Sequence, residues 1–453
     1  MKLPDLLRIF ASDFSLALLL GCVVSTSAVA DDWPQWMGPT RDGVYRETGI
    51  VDAIAKDGLP VKWRTPVHGG YAGPAVVGDR VFLMDYQRTA GEMVESPGAR
   101  PKQSGIERVL SFDAKTGAQV WSHEYECNYE ISFPAGPRVT PTVVDGLVVA
   151  LGAEGDLTVL SADTGELKWH VNIPKQFGVT TPVWGFAAHP LVTKGKVITM
   201  VGGDDHAVVA FDRENGEVVW HSLSSSDAGY CPPSLVDAGG TEQLLIWHPE
   251  SVASLNPISG EPYWSEPLQP QGGMSIARPQ REDDLLFVGG FKNASLMLRL
   301  MPDRPAVDVV WESEVIMSLS PSTMTPLIHD GIIYGCDNEL GALLAVRASD
   351  GKRLWQSYLP IRPSNVRRLR SGTCFVTRHE PSGRYLLFGE MGTLTIVSMD
   401  AEKLRPHGQM QVLEPTQSAI GRKVIWSHPA YANKTAYIRN DNELVAVDLS
   451  VAE

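Results

Sequence analysis

The sequence predicts an all-β chain: an eight-bladed β-propeller of four-stranded antiparallel blades, closed by an N-terminal strand that completes the last blade. Three observations lead there. A glycine turn followed by tryptophan recurs at the spacing of one blade. Eight strand–turn–strand openings recur in step with it. The last repeat runs out after three strands, and an unmatched strand near the N-terminus can supply the fourth.

The turn segments are FDAKTGAQVW to Trp121, SADTGELKW to Trp169, FDRENGEVVW to Trp220, LNPISGEPYW to Trp264 and RASDGKRLW to Trp355, with Trp311 keeping the place in PAVDVVW behind a degenerate turn. From Trp121 onward the spacings are 48, 51, 44, 47 and 44 residues, the length of one propeller blade. Glycine supplies the positive φ of the tight turn, and the tryptophan is expected to cap the outer strand against the next blade. The openings read AGPAVVGDRVFL, VTPTVVDGLVVAL, AHPLVTKGKVITM, PPSLVDAGGTEQLLIW, ARPQREDDLLFVGG, MTPLIHDGIIYG, CFVTRHEPSGRYLLF and SHPAYANKTAYI. Each is a short inner strand, a Gly/Asp turn and a second strand rich in β-branched and aromatic residues. Seven strands end in tryptophan, beginning with Trp63. The eighth falls at Met410 to Leu413, where no tryptophan stands. Trp63 precedes the first full repeat and so belongs to the blade that stops at Leu449, which closes the ring without an exposed edge. Residues 59–449 are thus read as one propeller, 31–58 as a lead-in, and the polar stretch Gln87 to Glu107 as a loop inserted in blade one.

Residues 1–30 are set apart. Lys2 and Arg8 precede an apolar run from Phe14 to Val24, too short to span a bilayer, and Ala28-Val29-Ala30 gives a small-x-small cleavage pattern. Leu19-Leu20-Gly21-Cys22 offers a competing reading, a lipid anchor on Cys22. Either reading predicts export to the periplasm or beyond, without a transmembrane span. Cys127, Cys231, Cys336 and Cys374 follow. Four cysteines allow three pairings, none is adjacent to another, and no C-x-x-C occurs. A formal net charge of −14 and a lone basic stretch at 362–370 argue against a nucleic-acid surface.

The D-x-x-T-G-x-x-x-W repeat resembles the PQQ-like (pyrrolo-quinoline quinone) repeat. Quinoprotein alcohol dehydrogenases share it with the propeller lipoprotein of the outer-membrane assembly machinery. More narrowly, DWPQWMGPTRDGVYRETG, FPAGPRVTPTV, PVWGFAAHPLV, GYCPPSL, LIWHPES and WSHPAYAN are similar to segments of exported bacterial PQQ-like propellers. The resemblance implies the fold and, for that narrower set, no reaction. Quinoprotein alcohol dehydrogenases typically cover their quinone with a disulfide between adjacent cysteines, and none is available here.

Pyrroloquinoline quinone carries three carboxylates and would need cations, a Ca²⁺ on oxygen ligands and a carboxylate base. The residues that precede the recurrent proline should converge on the channel: Gly73, Thr140, His189, Pro232, Arg278, Thr325, Cys374 (followed by Phe375 instead of proline) and His428. This column holds no carboxylate. It does set His189, Arg278 and His428 at one level. Three readings of that trio stay open: filling of a polar channel, an anion or small polar ligand on Arg278, and a metal, for which no third ligand is evident. His248 beside Glu250, and His379 beside Glu380, are pairs that can do acid–base work or tie down a loop. Trp184 can stack on a ligand or plug the mouth. No nucleophile elbow or phosphate-binding glycine loop occurs, and VGGDD at Val201 to Asp205 reads as a turn. The leading expectation is a non-catalytic binding scaffold of the cell envelope, without cofactor, whose partners are envelope proteins or a small polar ligand. The alternatives are a PQQ- and Ca²⁺-dependent dehydrogenase, and a channel-mouth binder of an anion or carbohydrate through His189, Arg278, His428, Trp184 and His248.

Overall fold

A computed structural model describes residues 31–451 except 95, 293, 314–317 and 362–368. Residues 1–30, with the expected cleavage site and Cys22, and most of the basic stretch at 362–370 lie outside the described residues. Eight four-stranded antiparallel sheets follow one another around a ring. Blade one opens with Ala75–Val77, blade two with Thr142–Val144, blade three with Leu191–Thr193 and blade four with Ser234–Ala238. Blades five to eight open with Gln280–Glu282, Leu327–His329, Cys374–His379 and Ala430–Ala432. These first strands touch those of neighbouring blades and line the axis. The expected closure is present: Val61–Pro66 pairs antiparallel with Glu443–Asp448, with Trp63 opposite Ala446.

The tryptophans lock blade to blade. Trp63 Nε1 donates to the Ala114 carbonyl at 2.9 Å, Trp121 to Ala162 at 2.9 Å, Trp169 to Arg213 at 2.7 Å and Trp355 to Asp400 at 2.7 Å. Each accepting carbonyl belongs to the turn of the next blade. The turn glycine lies flat against the indole: at Gly117, with φ of +72°, a Cβ would sit 2.6 Å from the Trp63 ring. Blade five has lost that glycine turn, and Trp264 accordingly bonds Gln243 of its own blade at 2.8 Å. Met410, where the eighth tryptophan would stand, instead receives the Leu59 N–H on its sulfur.

Blade one corrects one expectation. The polar stretch from Gln87 to Glu107 is only in part an inserted loop: 87–91 and 102–107 extend the strands, and the loop is confined to the segment between Gly91 and Lys102. Arg80–Gly91, Lys102–Asp113 and Gln119–Glu130 are unbroken strands of 12 residues each, paired as far as Gly91 opposite Gln103. The added strand length alternates, with Gln103, Gly105 and Glu107 inward. Tyr86 and Tyr129 stack at 4.0 Å, and a Cβ on Gly105 would meet the Tyr86 ring at 2.5 Å. Tyr125 and Tyr129 donate to the buried Glu107 carboxylate, as does the Ala153 N–H at 3.0 Å. A buried carboxylate with three donors is tolerated where a bare one would not be.

The lead-in holds the largest surprise. It crosses the lower end of the channel, on the side of the turns that follow each inner strand. Trp33 bridges Val76 of blade one, and the Pro34 carbonyl accepts from Val143 of blade two. Val44–Tyr45 then pairs parallel with the inner strand of blade seven.

Candidate functional site

Two levels matter along the axis. Beneath lies the ring of residues that precede the recurrent prolines. Above it, on the upper face, sit the loops that enter each inner strand and the turns between second and third strands.

At the lower level the sequence column is filled from below by the lead-in. Trp36 packs edge-on against His189 at 4.9 Å and against His428 at 5.7 Å, and is 4% exposed. Arg41 is buried beside it. Its guanidinium donates to the carbonyls of His189 at 3.2 Å, Pro233 at 3.0 Å and Pro190, and its Nε to the Gln35 side chain at 2.8 Å. Burial, and then the neighbouring Arg278, lower the Arg41 pKa to about 9. Burial also lowers Arg278, to about 10, against the pull of Asp42. The two histidines are neutral for the same reason. Burial, then mutual repulsion with His428, carries His189 well below its ordinary value, and burial alone takes His428 to about 3. The Ala187 carbonyl accepts from His189 Nδ1 at 3.0 Å, leaving the lone pair on Nε2. The space left beside His428, Thr325, Phe375 and Met37 is about 20 Å³, enough for one water. At this level Trp36 Nε1, His189 Nε2, Thr140 Oγ1 and Arg278 Nε are buried without a hydrogen-bond partner.

The structure therefore brings His189 and His428 together, but through Trp36, and sets Arg278 against Arg41. Trp36 and Arg41 were not singled out in the sequence. Their signal was present: two tryptophans, a methionine and an arginine in a lead-in without strand periodicity need somewhere to be buried.

Trp184 and His248 belong to the upper face. Trp184 is half-buried and meets Tyr230 edge-on at 5.6 Å. It also packs on a cluster of Tyr71, Phe133 and Trp426, in which Phe133 and Trp426 lie 5.7 Å apart. Arg138 stands 5.1 Å over the Tyr71 ring and donates to the carbonyls of Ser132 and Phe133. These rings form an aromatic arc along the entry loops from blade eight to blade four. The tip of the long blade-one strands leans over it: Arg100 donates to the Glu130 carbonyl at 2.7 Å, and Ser132 Oγ to the Ser96 carbonyl at 2.9 Å. His248 ties down its turn, with Nδ1 on Glu250 at 2.9 Å and Nε2 on Ser251 at 3.0 Å. Burial opposes the Glu250 charge. Hydrogen bonds from Ser226, His248 and Ser225 outweigh it and hold that carboxyl at about 2. His379 lies on the opposite face, bonded to the Glu47 carbonyl and Ser382 rather than to Glu380. VGGDD is a turn, as read from the sequence.

Comparison with known proteins follows from this geometry. A family model described as outer membrane protein assembly factor BamB, built on the PQQ repeat, matches residues 105–357. The chain belongs to this PQQ-repeat propeller family. Among curated relatives, quinoprotein alcohol dehydrogenase PedH of Pseudomonas putida is 30% identical over 197 residues, 36% of this chain and 31% of that one. Outer membrane protein assembly factor BamB of Burkholderia pseudomallei is 24% identical over 226 residues, 40% of this chain and 55% of that one. The chain thus spans about a third to just over half the length of these relatives. Two solved structures share the fold. BamB from Moraxella catarrhalis has a TM-score of 0.56 at 15% identity, over 87% of this chain and 99% of that one. Quinohemoprotein alcohol dehydrogenase from Comamonas testosteroni has a TM-score of 0.59 at 14% identity, over 93% and 81%. The propeller therefore has both dehydrogenases and assembly factors among its relatives. No helix among the described residues is long and apolar enough to cross a membrane.

The quinone of the dehydrogenase branch fits these residues poorly. On the upper face, Glu390 is held by Arg422 at 2.8 Å and by Trp426 at 3.1 Å, and Asp337 by Arg353 at 3.0 Å. Asp441 accepts from Gln417 at 2.9 Å and from the Gly70 N–H at 3.1 Å. Asp227 keeps one buried oxygen without a partner, but Ca²⁺ takes six to eight oxygens. Among the described residues, the trio of acidic and histidine groups within mutual reach is Glu282, His329 and Asp330. These stand at inner-strand turns of the lower face.

Proposed function

We propose that the chain is an exported, non-catalytic propeller of the cell envelope that docks a protein partner at the aromatic arc of its upper face. The observation that carries this reading is the commitment of the mouth carboxylates. Glu390, Asp337, Glu250 and Asp441 each hold an internal partner, and the unpartnered buried oxygen of Asp227 falls short of the six to eight that Ca²⁺ takes. Buried groups of this kind brace a scaffold. Tyrosine and tryptophan at a concave mouth suit a docking surface, because they offer large rigid area with a polar edge. The envelope location rests on the export segment and on the assembly-factor branch of the family.

The test is a titration of the protein with pyrroloquinoline quinone, with and without Ca²⁺, read by quinone absorbance and alcohol-dependent dye reduction. Neither signal is expected. Saturable, Ca²⁺-dependent binding would overturn the reading in favour of a dehydrogenase. In a pull-down from envelope extracts, Trp184→Ala should lose the partner that the unaltered protein retains, and equal capture by both would remove the arc as the docking surface.

A second reading rests on Arg278, whose buried Nε lacks a partner beside a second guanidinium. A small anion such as formate or chloride would match that excess of positive charge. It predicts anion-dependent thermal stabilisation that Arg278→Ala abolishes.

A further inference from the structure

We propose that Cys336 and Cys374 form a disulfide that staples blade six to blade seven directly beneath the mouth. Their sulfurs lie 3.4 Å apart. Cys336 stands near the upper end of Ile332–Asp337, the second strand of blade six, and Cys374 opens the inner strand of blade seven. The Cys336 sulfur reaches both backbone groups of its neighbour, accepting from the Cys374 N–H at 3.2 Å and lying 3.7 Å from its carbonyl. The Cys336 side chain thus reaches the Cys374 backbone as well as its sulfur, and a disulfide needs the two residues to stand this near. Closing the bond asks for a shift of about 1.4 Å between sulfurs, given a covalent separation of about 2 Å.

The other two thiols have no such neighbour. Cys231 contacts the carbonyls of Pro232 and Ala277, and Cys127 lies in the long outer strand of blade one, opposite Gly105. Of the three full pairings the sequence leaves open, none is adopted. One bond forms and two thiols remain.

Both proposed partners are buried, at 3% and 0% exposure. The Cys336 hydrogen bond, and then burial, push the Cys374 thiol well up. The attacking species in exchange is the thiolate, so the closed propeller is a poor substrate and the bond forms while the blades assemble. The step balances against an oxidant that is itself a disulfide, such as glutathione disulfide or an oxidised dithiol oxidoreductase. One thiolate attacks a sulfur of the oxidant and displaces a thiolate, giving a mixed disulfide. The second cysteine thiolate then attacks the protein sulfur of that intermediate and expels the remaining oxidant thiolate. The protein loses two protons and two electrons, and the oxidant ends as thiols.

The test does not depend on where the chain resides or on the docking reading. Reduced, unfolded protein is refolded in a glutathione redox buffer, alkylated, digested without reductant and mapped by mass spectrometry. The expected result is one cross-linked peptide pair joining 336 to 374, with Cys127 and Cys231 alkylated. The cross-linked protein should also show a higher urea midpoint than its reduced form. Cys127→Ser should keep the cross-link, and Cys336→Ser should leave Cys374 alkylatable after unfolding. Refolded protein with Cys336 and Cys374 both alkylatable after unfolding, or a bond from either one to Cys127 or Cys231, would overturn the proposal.

Discussion

Acid should destabilise this propeller through two buried histidines, and His428→Gln should reduce that effect. An unfolded histidine titrates near 6.5, whereas burial holds folded His428 at about 3. The folded state therefore refuses a proton that the unfolded state accepts. Stability contributed by the neutral ring is complete above about pH 6.5 and is lost as the pH falls, down to about pH 3 where the folded ring also protonates. Each pH unit in that window costs about 1.4 kcal/mol per histidine, so pH 4.5 costs about 2.7 kcal/mol for His428. His189 is shifted in the same direction, by burial and then by His428, and adds to the loss. The His428 contribution alone is a large share of the 5–15 kcal/mol typical of a folded domain. Urea unfolding at about pH 7, 5.5 and 4.5 measures the loss for each protein. A glutamine cannot titrate, so the variant should keep roughly the slope of one histidine, whatever its stability at neutral pH. Equal acid slopes in the two proteins would refute the burial of His428 against Trp36.

Trp36→Ala should cost about 3–5 kcal/mol in urea unfolding, the range for emptying a buried indole site. It should also open His189 and His428 to water and flatten the acid slope, and a loss below about 1 kcal/mol would mean the lead-in does not fill the channel. Gly117→Ala combines a left-handed backbone with a Cβ 2.6 Å from the Trp63 ring. A destabilisation of about 1–3 kcal/mol should appear with faster proteolysis near the closing strand Val61–Pro66. Asp85→Asn removes the carboxylate that Arg108 grips at 2.6 and 2.8 Å and should cost about 3–5 kcal/mol by the same unfolding measurement, because a partly buried guanidinium is left unpaired.

The polar strands of blade one show why one element misled. Gln87 to Glu107 lacks apolar residues on its buried side, so its period of two is carried by Gln103, Gly105 and Glu107, which read as loop residues in isolation. The phenols of Tyr125 and Tyr129, brought from the neighbouring strand, and the Ala153 N–H of blade two make an inward glutamate acceptable. The candidate site divided in the same way. Trp184 and His248 reach the upper face, as turn and entry positions in a propeller must. His189, Arg278 and His428 share a level of the ring because the repeat register sets it, while the lead-in that fills that level carries no repeat at all.

What the sequence determined by itself is everything periodic. Blade count, strand order, closure through Trp63 and the locking tryptophans all follow from local spacing, because each blade repeats one short solution to burying a sheet face. What the tertiary structure decided lies between blades and between strands that the repeat does not relate. Trp36 wedged between His189 and His428, the mouth carboxylates bound by arginines, serines and a glutamine of other strands and loops, and the meeting of Cys336 with Cys374 depend on which side chains face the same enclosed volume. Spacing along the chain does not encode that, because burial and hydrogen-bond satisfaction at the axis are properties of the closed ring.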